Sequence, residues 1–211
     1  MAFSEFLESR KARAKALVAA LKEQFEYVSV LGVDTRSKHI MVNANSSGIL
    51  NGDDTECGFV VKINNGGCFF EYSMDDIGAD IPAAAAQVKE SFTVSKLLRE
   101  GSIDRIVLKD EPLVQSFARP TDLASYSDKD VLSFVQKMQK ELQAKSEHIL
   151  NAMIRVSTLE VSKLFVSANR ELDQNYTWIN GFMGLAYREN DKTVQVFGFC
   201  DSANMADVMA E

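Results

Sequence analysis

Apolar and polar residues alternate from Leu164 to Cys200, LFVSANRELDQNYTWINGFMGLAYRENDKTVQVFGFC, with polar breaks between the alternating runs. A two-residue period of this kind predicts half-buried β-strands joined by short turns. The same order of features occurs earlier, from Ile40 to Tyr72. Val42-Asn43-Ala44-Asn45 stands against Val166-Ser167-Ala168-Asn169, and Gly58-Phe59-Val60-Val61-Lys62 against Gly184-Leu185-Ala186-Tyr187-Arg188. Asn64-Asn65-Gly66-Gly67 stands against Asn190-Asp191-Lys192-Thr193. Each block follows a polar helix and a first strand, so the pattern predicts two copies of one helix-plus-meander unit.

The helices follow from a longer period. Phe3, Phe6, Leu7, Ala14, Leu17, Val18, Leu21 and Phe25 recur at steps of three and four, which predicts a helix over 3–25 with Ser4 able to cap it. A second helix is predicted from Pro82 to about Arg99, after Asp80 as N-cap, and ends at Glu100-Gly101. A third runs from Ser127 to about Ser146, where Ser127 and Asp130 have capping-box spacing before Val131, Phe134, Val135, Met138 and Leu142. The predicted strands are 27–33, a turn at 34–37, 38–45, 56–63 and 68–73, the last two joined across an Asn-Gly hairpin turn. In the second unit they are 148–160, a turn at 160–163, 164–169, 178–187 and 193–200. Ser102 to Tyr126, with Pro112 and Pro120, reads as an irregular crossing with a short strand at 105–108. The tail after Asp201 reads as frayed. The fold class is α+β, with helices on one face of a mostly antiparallel sheet. The boundaries are 1–101 for the first unit with its following helix, 102–126 for the crossing and 127–211 for the second unit.

The formal charge of −7 on 211 residues argues against a nucleic-acid binder, which needs a clustered cationic surface to displace phosphate counterions. Arg10-Lys11-Ala12-Arg13-Ala14-Lys15 is the local exception and reads as the solvated face of the first helix. Three cysteines, Cys57, Cys68 and Cys200, lack metal-ligand spacing and sit in strand-like apolar surroundings, which fits reduced thiols in a cytoplasmic setting. The N-terminus carries Glu5 and Glu8 and does not read as a signal peptide, and no stretch approaches a membrane span.

The sequence offers no self-contained catalytic site. His39 and His148, the two histidines, have no partner at metal-ligand spacing, and neither a nucleophile elbow nor a phosphate-binding loop occurs. Gly66-Gly67 and the Gly181–Gly184 stretch lack the strand–glycine–helix order that aims amides at a phosphate. Asp53-Asp54 and Asp75-Asp76 are adjacent carboxylates in turn-like segments, where solvation rather than a split acid–base pair is expected. Tyr176 and Trp178, two apart on a strand, share a face, and with Asn169 they could grip an extended peptide, although a packed sheet face uses the same residues.

Two stretches resemble the N-terminal half of the TldD/PmbA family, peptide-maturation metallopeptidases also called modulators of DNA gyrase. The first is GFVVKINNGGCFFEYSMDDI, Gly58 to Ile77: a glycine, an apolar run with a basic residue, a turn, a strand and a polar-Asp step toward a helix. Here Lys62 stands where the family usually has Arg, and Phe69 where it has Gly. The second is LFVSAN, Leu164 to Asn169, similar to the strand before the family's Asn-Ser-x-Gly segment, from which Arg170-Glu171 departs. The helix from Ser127 also fits in place. The resemblance implies that zinc is held by a His-Glu-x-x-x-His motif in a C-terminal domain beyond this chain. It implies no metal ligand and no catalytic residue here, and no hydrolysis by this chain alone. The expected partners are that catalytic domain, a homologous subunit or second copy in a dimer, and a peptide substrate, without nucleic acid or membrane. The alternative is a stand-alone peptide- or protein-binding module with Asn169, Tyr176 and Trp178 as contacts.

Overall fold

The computed structural model describes residues 2–66, 68–97 and 108–210. Among them are four α-helices and eight strands: α1 (Glu5–Lys22), β1 (Tyr27–Val42), β2 (Ser47–Asn51), β3 (Cys57–Asn65), β4 (Cys68–Met74), α2 (Ile81–Leu97), β5 (Leu113–Ala118), α3 (Asp128–Gln143), β6 (Ile149–Ser167), β7 (Arg170–Glu189), β8 (Lys192–Ser202) and α4 (Met205–Ala210). A 3-10 turn spans Leu123–Ser125. The strands form one sheet in the order β4-β3-β1-β6-β7-β5, with β2 on β1 and β8 on β7. All pairings are antiparallel except β5 with β7. The α+β class expected from the pattern is the one observed. No helix among the described residues is long and apolar enough to cross a membrane.

The three long strands β1, β6 and β7 are the frame. β1 pairs β6 continuously from Ser29↔Ser167 to Val42↔Ile154. Both turns expected inside these strands, at 34–37 and 160–163, are therefore absent: Val33–Ser37 pairs with Leu159–Lys163 in unbroken register. Their polar side chains mimic a turn signal because they serve as a polar belt across the sheet. On the helix-bearing face, Asp34 lies beside Ser162 and Asn175, and Arg36 beside Glu160 and Thr177. The hydroxyls of Thr35 and Ser37 are on the other face, by the alternation of a strand.

The belt separates two apolar clusters under the helices. In the first, Leu7, Leu17, Val18 and Leu21 of α1 and Val88 and Phe92 of α2 pack on Val28, Val30, Phe59, Val61, Leu164 and Val166. In the second, Val131 and Val135 of α3 and Met205 and Val208 of α4 pack on Ile40, Val42, Ile154, Val156 and Ile179. The tail is thus a strand extension and a docked helix rather than frayed, because Met205 and Val208 find apolar cover. The backbone N–H of Met205 donates to Asp122 Oδ1 at 2.5 Å, and that of Ala206 to Oδ2 at 3.0 Å. The short strand expected at 105–108 falls outside the described residues for all but Leu108, and β5 lies further on. The β7–β8 turn places Asn190 and Asp191 at φ 47° and 64°, the left-handed pair a tight hairpin requires.

Helix α1 starts on the belt. Ser4 Oγ accepts from the Leu7 N–H at 3.2 Å and donates to Asp34 Oδ2 at 2.5 Å, while the Ser4 N–H donates to Ser162 Oγ at 3.2 Å. Gly32 permits the close approach of this helix, since a Cβ there would stand 2.8 Å from Leu7 Cδ2 and 2.7 Å from Phe59 Cε1. The basic run of α1 is not simply solvated. Arg10 grips Asp76 with two hydrogen bonds of 3.0 and 3.1 Å, Arg13 reaches the Ile77 carbonyl at 3.1 Å, and Lys11 and Lys15 both meet Glu171. These cations fasten the helix to the connector after β4 and to the start of β7.

Lys11, and then Lys15, hold the Glu171 carboxyl below its ordinary 4.5, so it stays ionised in the folded chain at a pH where it would protonate in the unfolded one. A depressed folded value contributes stability above 4.5 that is lost as pH falls through the folded value. Glu171→Gln is expected to lower stability at neutral pH by about 0.5–1 kcal/mol and to flatten the loss on acidification, read by urea denaturation across pH.

Candidate functional site

The face of the sheet opposite the helices carries the residues with most to offer. Alternation along β1, β6 and β7 sets Leu31, Val33 and Thr35 of β1, Leu159, Val161 and Lys163 of β6, and Tyr176 and Trp178 of β7 on this face, where they line one groove of about 430 Å³. Val161 is buried in its floor, while Trp178 is 48% exposed. Tyr176 and Trp178 meet edge to face with ring centroids 6.5 Å apart. The Arg119 guanidinium lies over the Trp178 ring, 4.9 Å from its centre, a cation–π contact that fixes the indole. Arg119 is placed by its own backbone, whose N–H donates to the Asn175 carbonyl at 2.9 Å.

The far wall of the groove is the loop between β2 and β3, which brings Asp54 and Glu56 to its rim. Thr35 pins that loop: its Oγ1 donates to the Asp54 carbonyl at 2.6 Å and accepts from the Glu56 N–H at 2.8 Å. Ser37 continues the anchorage, its N–H donating to Thr55 Oγ1 at 3.1 Å and its carbonyl accepting from the Gly52 N–H at 2.9 Å. Backbone groups hold the loop, so the carboxylates of Asp53, Asp54 and Glu56 remain exposed at its surface.

Further along the same face, Phe182 stands 5.2 Å from Phe199 and 5.9 Å from Phe197, with Arg155 over its ring at 5.1 Å. Phe197 and Phe199 are 55% and 68% exposed on β8, whose outer edge pairs with no strand among the described residues. Val194 and Val196 are exposed on the opposite side of that strand. An edge strand with apolar residues on both sides, and no charge or proline between Thr193 and Cys200, lacks the usual protection against pairing.

The structure brings Tyr176 and Trp178 together but leaves Asn169 elsewhere. Asn169 sits in the turn between β6 and β7, about 23 Å along the strand from Tyr176 at the usual rise. Its Nδ2 donates to the Asp110 carbonyl at 3.0 Å, and Ser167 and Arg170 also engage Asp110, so it pins the segment before β5. His39 Nδ1 lies 2.8 Å from Ser157 Oγ in mid-strand, not beside a hairpin turn, and the His148 ring packs against Tyr187. Among the described residues no group of three or more His, Cys, Asp and Glu could hold a metal ion. Asp76 is occupied by Arg10, and Asp53 and Asp54 are on an exposed loop, so neither aspartate pair forms an acid–base site. The sequence carries no signal for Arg119 or Glu56, and marks Asp54 only as one of a solvated pair; these reach the groove only through the fold. The exposed edge did carry a signal: Val194, Val196, Phe197 and Phe199 occupy both parities of one strand.

Thr35→Val is expected to cost about 1–3 kcal/mol by leaving the Asp54 and Glu56 backbone groups without their partner. Amide exchange at Glu56 should then quicken well beyond the change at Val30, on the same strand.

No family model matches the chain, and no curated protein matches it in sequence. Solved structures do match. One is a candidate modulator of DNA gyrase from Bacteroides thetaiotaomicron, with TM-score 0.77, 14% identity, and coverage of 95% of this chain and 46% of that one. A second, likewise described, is from Thermotoga maritima, with TM-score 0.68, 13% identity, and coverage of 95% and 44%. A third is TldE from Thermococcus kodakarensis, with TM-score 0.68, 12% identity, and coverage of 94% and 46%. The chain spans less than half the length of each. The resemblance first suggested by the order of strands and turns is thus present in three dimensions: this chain has the fold that TldD/PmbA-like proteins carry over somewhat less than half of their length.

Proposed function

We propose that this chain is the non-catalytic N-terminal region of a TldD/PmbA-type zinc metallopeptidase of the cytoplasm, shaping the substrate channel and the subunit contacts. The observation that carries this reading is the pairing of a near-complete fold match with a chain under half the neighbours' length. The residues present do not fit a zinc site. Two histidines engaged with Ser157 and Tyr187, and no acidic or thiol cluster among the described residues, offer nothing with the convergent three- or four-ligand geometry zinc takes. In this reading zinc belongs to a catalytic domain that completes the protein. The exposed β8 edge and the free sheet face supply contacts to that domain or to a second subunit, homologous or identical.

The neighbours from Bacteroides and Thermotoga are described as candidate modulators of DNA gyrase. A direct DNA contact by this chain finds no support in its charge of −7 or in a basic run already engaged with Asp76, Glu171 and Asp173. The groove at Tyr176 and Trp178 favours a second reading, a peptide- or protein-binding module with no activity of its own.

Purified chain, loaded with excess zinc and dialysed, should retain no stoichiometric metal and should hydrolyse no peptide. Stoichiometric zinc with peptidase activity would overturn the non-catalytic assignment.

A further inference from the structure

The groove on the free face has a charge axis. At the β1 side, Asp54 and Glu56 line its rim, and neither makes an ion pair among the described residues. At the other side, Arg119 lies over Trp178. Between the two ends the lining is apolar at Leu31, Val33, Leu159, Val161 and the two aromatic rings, with Lys163 of β6 half-buried between Val33 and Gln174. From the loop beyond β1, across β6, to Arg119 beyond β7 is about four strand spacings, roughly 19 Å, the length of about six extended residues.

Resting on the peptide-binding reading of this face, we infer that the groove takes an extended segment of that length with a lysine or arginine at one end. Its cation lies against Asp54 and Glu56, its middle residues are apolar, and a carboxylate faces Arg119. Charge complementarity selects this occupant over a second copy of the chain, whose surface is acidic overall, and over nucleic acid, whose phosphates would meet the acidic rim. The Trp178 ring is already covered by Arg119 on one side, so the incoming cation is directed to the carboxylates and not to the indole. The carboxylates of Asp54 and Glu56 hold no part of the loop, which hangs on backbone groups, so they are free to select a ligand.

Trp178 is the one tryptophan of the chain and reports directly on the groove. The probe is an acetylated, C-terminally amidated Lys-Leu-Phe-Leu-Val-Asp peptide, compared with an analogue carrying norleucine for Lys, by Trp178 emission and calorimetry at low salt. The lysine peptide should bind about tenfold more tightly, and the preference should fall to within about twofold in a D54N/E56Q variant and on raising salt. Circular dichroism should show that variant folded as the wild type. Equal affinity for the norleucine analogue would overturn the charge assignment while leaving binding on this face intact. A preference that survives D54N/E56Q would place the selecting carboxylates elsewhere and overturn the site. No response to either peptide at millimolar concentration would overturn the binding reading and this inference with it.

Discussion

The antiparallel pairing of β1 with β6 is the interaction on which the rest of this structure depends. It joins the first part of the chain to the second along fourteen opposed residues, from Ser29↔Ser167 to Val42↔Ile154. Every other strand is attached to this pair directly or through β3 and β7. The contact is long-range in sequence, so its loop-closure entropy must be offset by burial on the helix side. That burial comes in two separate clusters, one under α1 and α2 and one under α3 and α4. The polar belt between them is where α1 begins on Ser4 and Asp34, and where Lys38 draws in the start of α3 through Asp128 at 2.8 Å.

The belt also explains which part of the fold was legible in the sequence. Helices, hairpins and the α+β class followed from period and turn chemistry, because Leu7, Leu17 and Leu21 or Asn190-Asp191 carry their signal locally. The length of β1 and β6 did not. Asp34-Thr35-Arg36-Ser37 and Glu160-Val161-Ser162-Lys163 look like turns when each is read alone, yet they form neighbouring rows of one sheet. Only the pairing shows that Asp34 and Ser162 receive the N-cap of α1, and that Thr35 and Ser37 hold a loop on the other face. The docked α4 was hidden for a similar reason: its amides are bound by Asp122, 83 residues away from Met205.

The candidate surface was half legible. Tyr176 and Trp178 share a strand face by simple alternation, and the structure places them in one groove. Asn169 is local to them in sequence but belongs to a turn at the strand's far end. Arg119, Asp54 and Glu56 come from segments with no pattern of their own, positioned by backbone bonds to Asn175 and Thr35. The likeness in fold was legible mainly through the order of elements, since 12–14% identity leaves a fold recognisable after residue-level similarity has faded.

A sheet with one face under helices usually turns polar residues outward on the other. Here the other face presents Leu31, Val33, Leu159, Tyr176, Trp178, Phe182, Phe197 and Phe199, and the β8 edge is unprotected. In the proposed function this sheet is completed by a further protein surface. Binding of an apolar dye such as ANS to the natively folded chain tests it directly. Strong, blue-shifted dye emission that is lost in a folded Phe197→Lys/Phe199→Lys/Trp178→Lys variant is the predicted result. A native chain that binds no dye would contradict it.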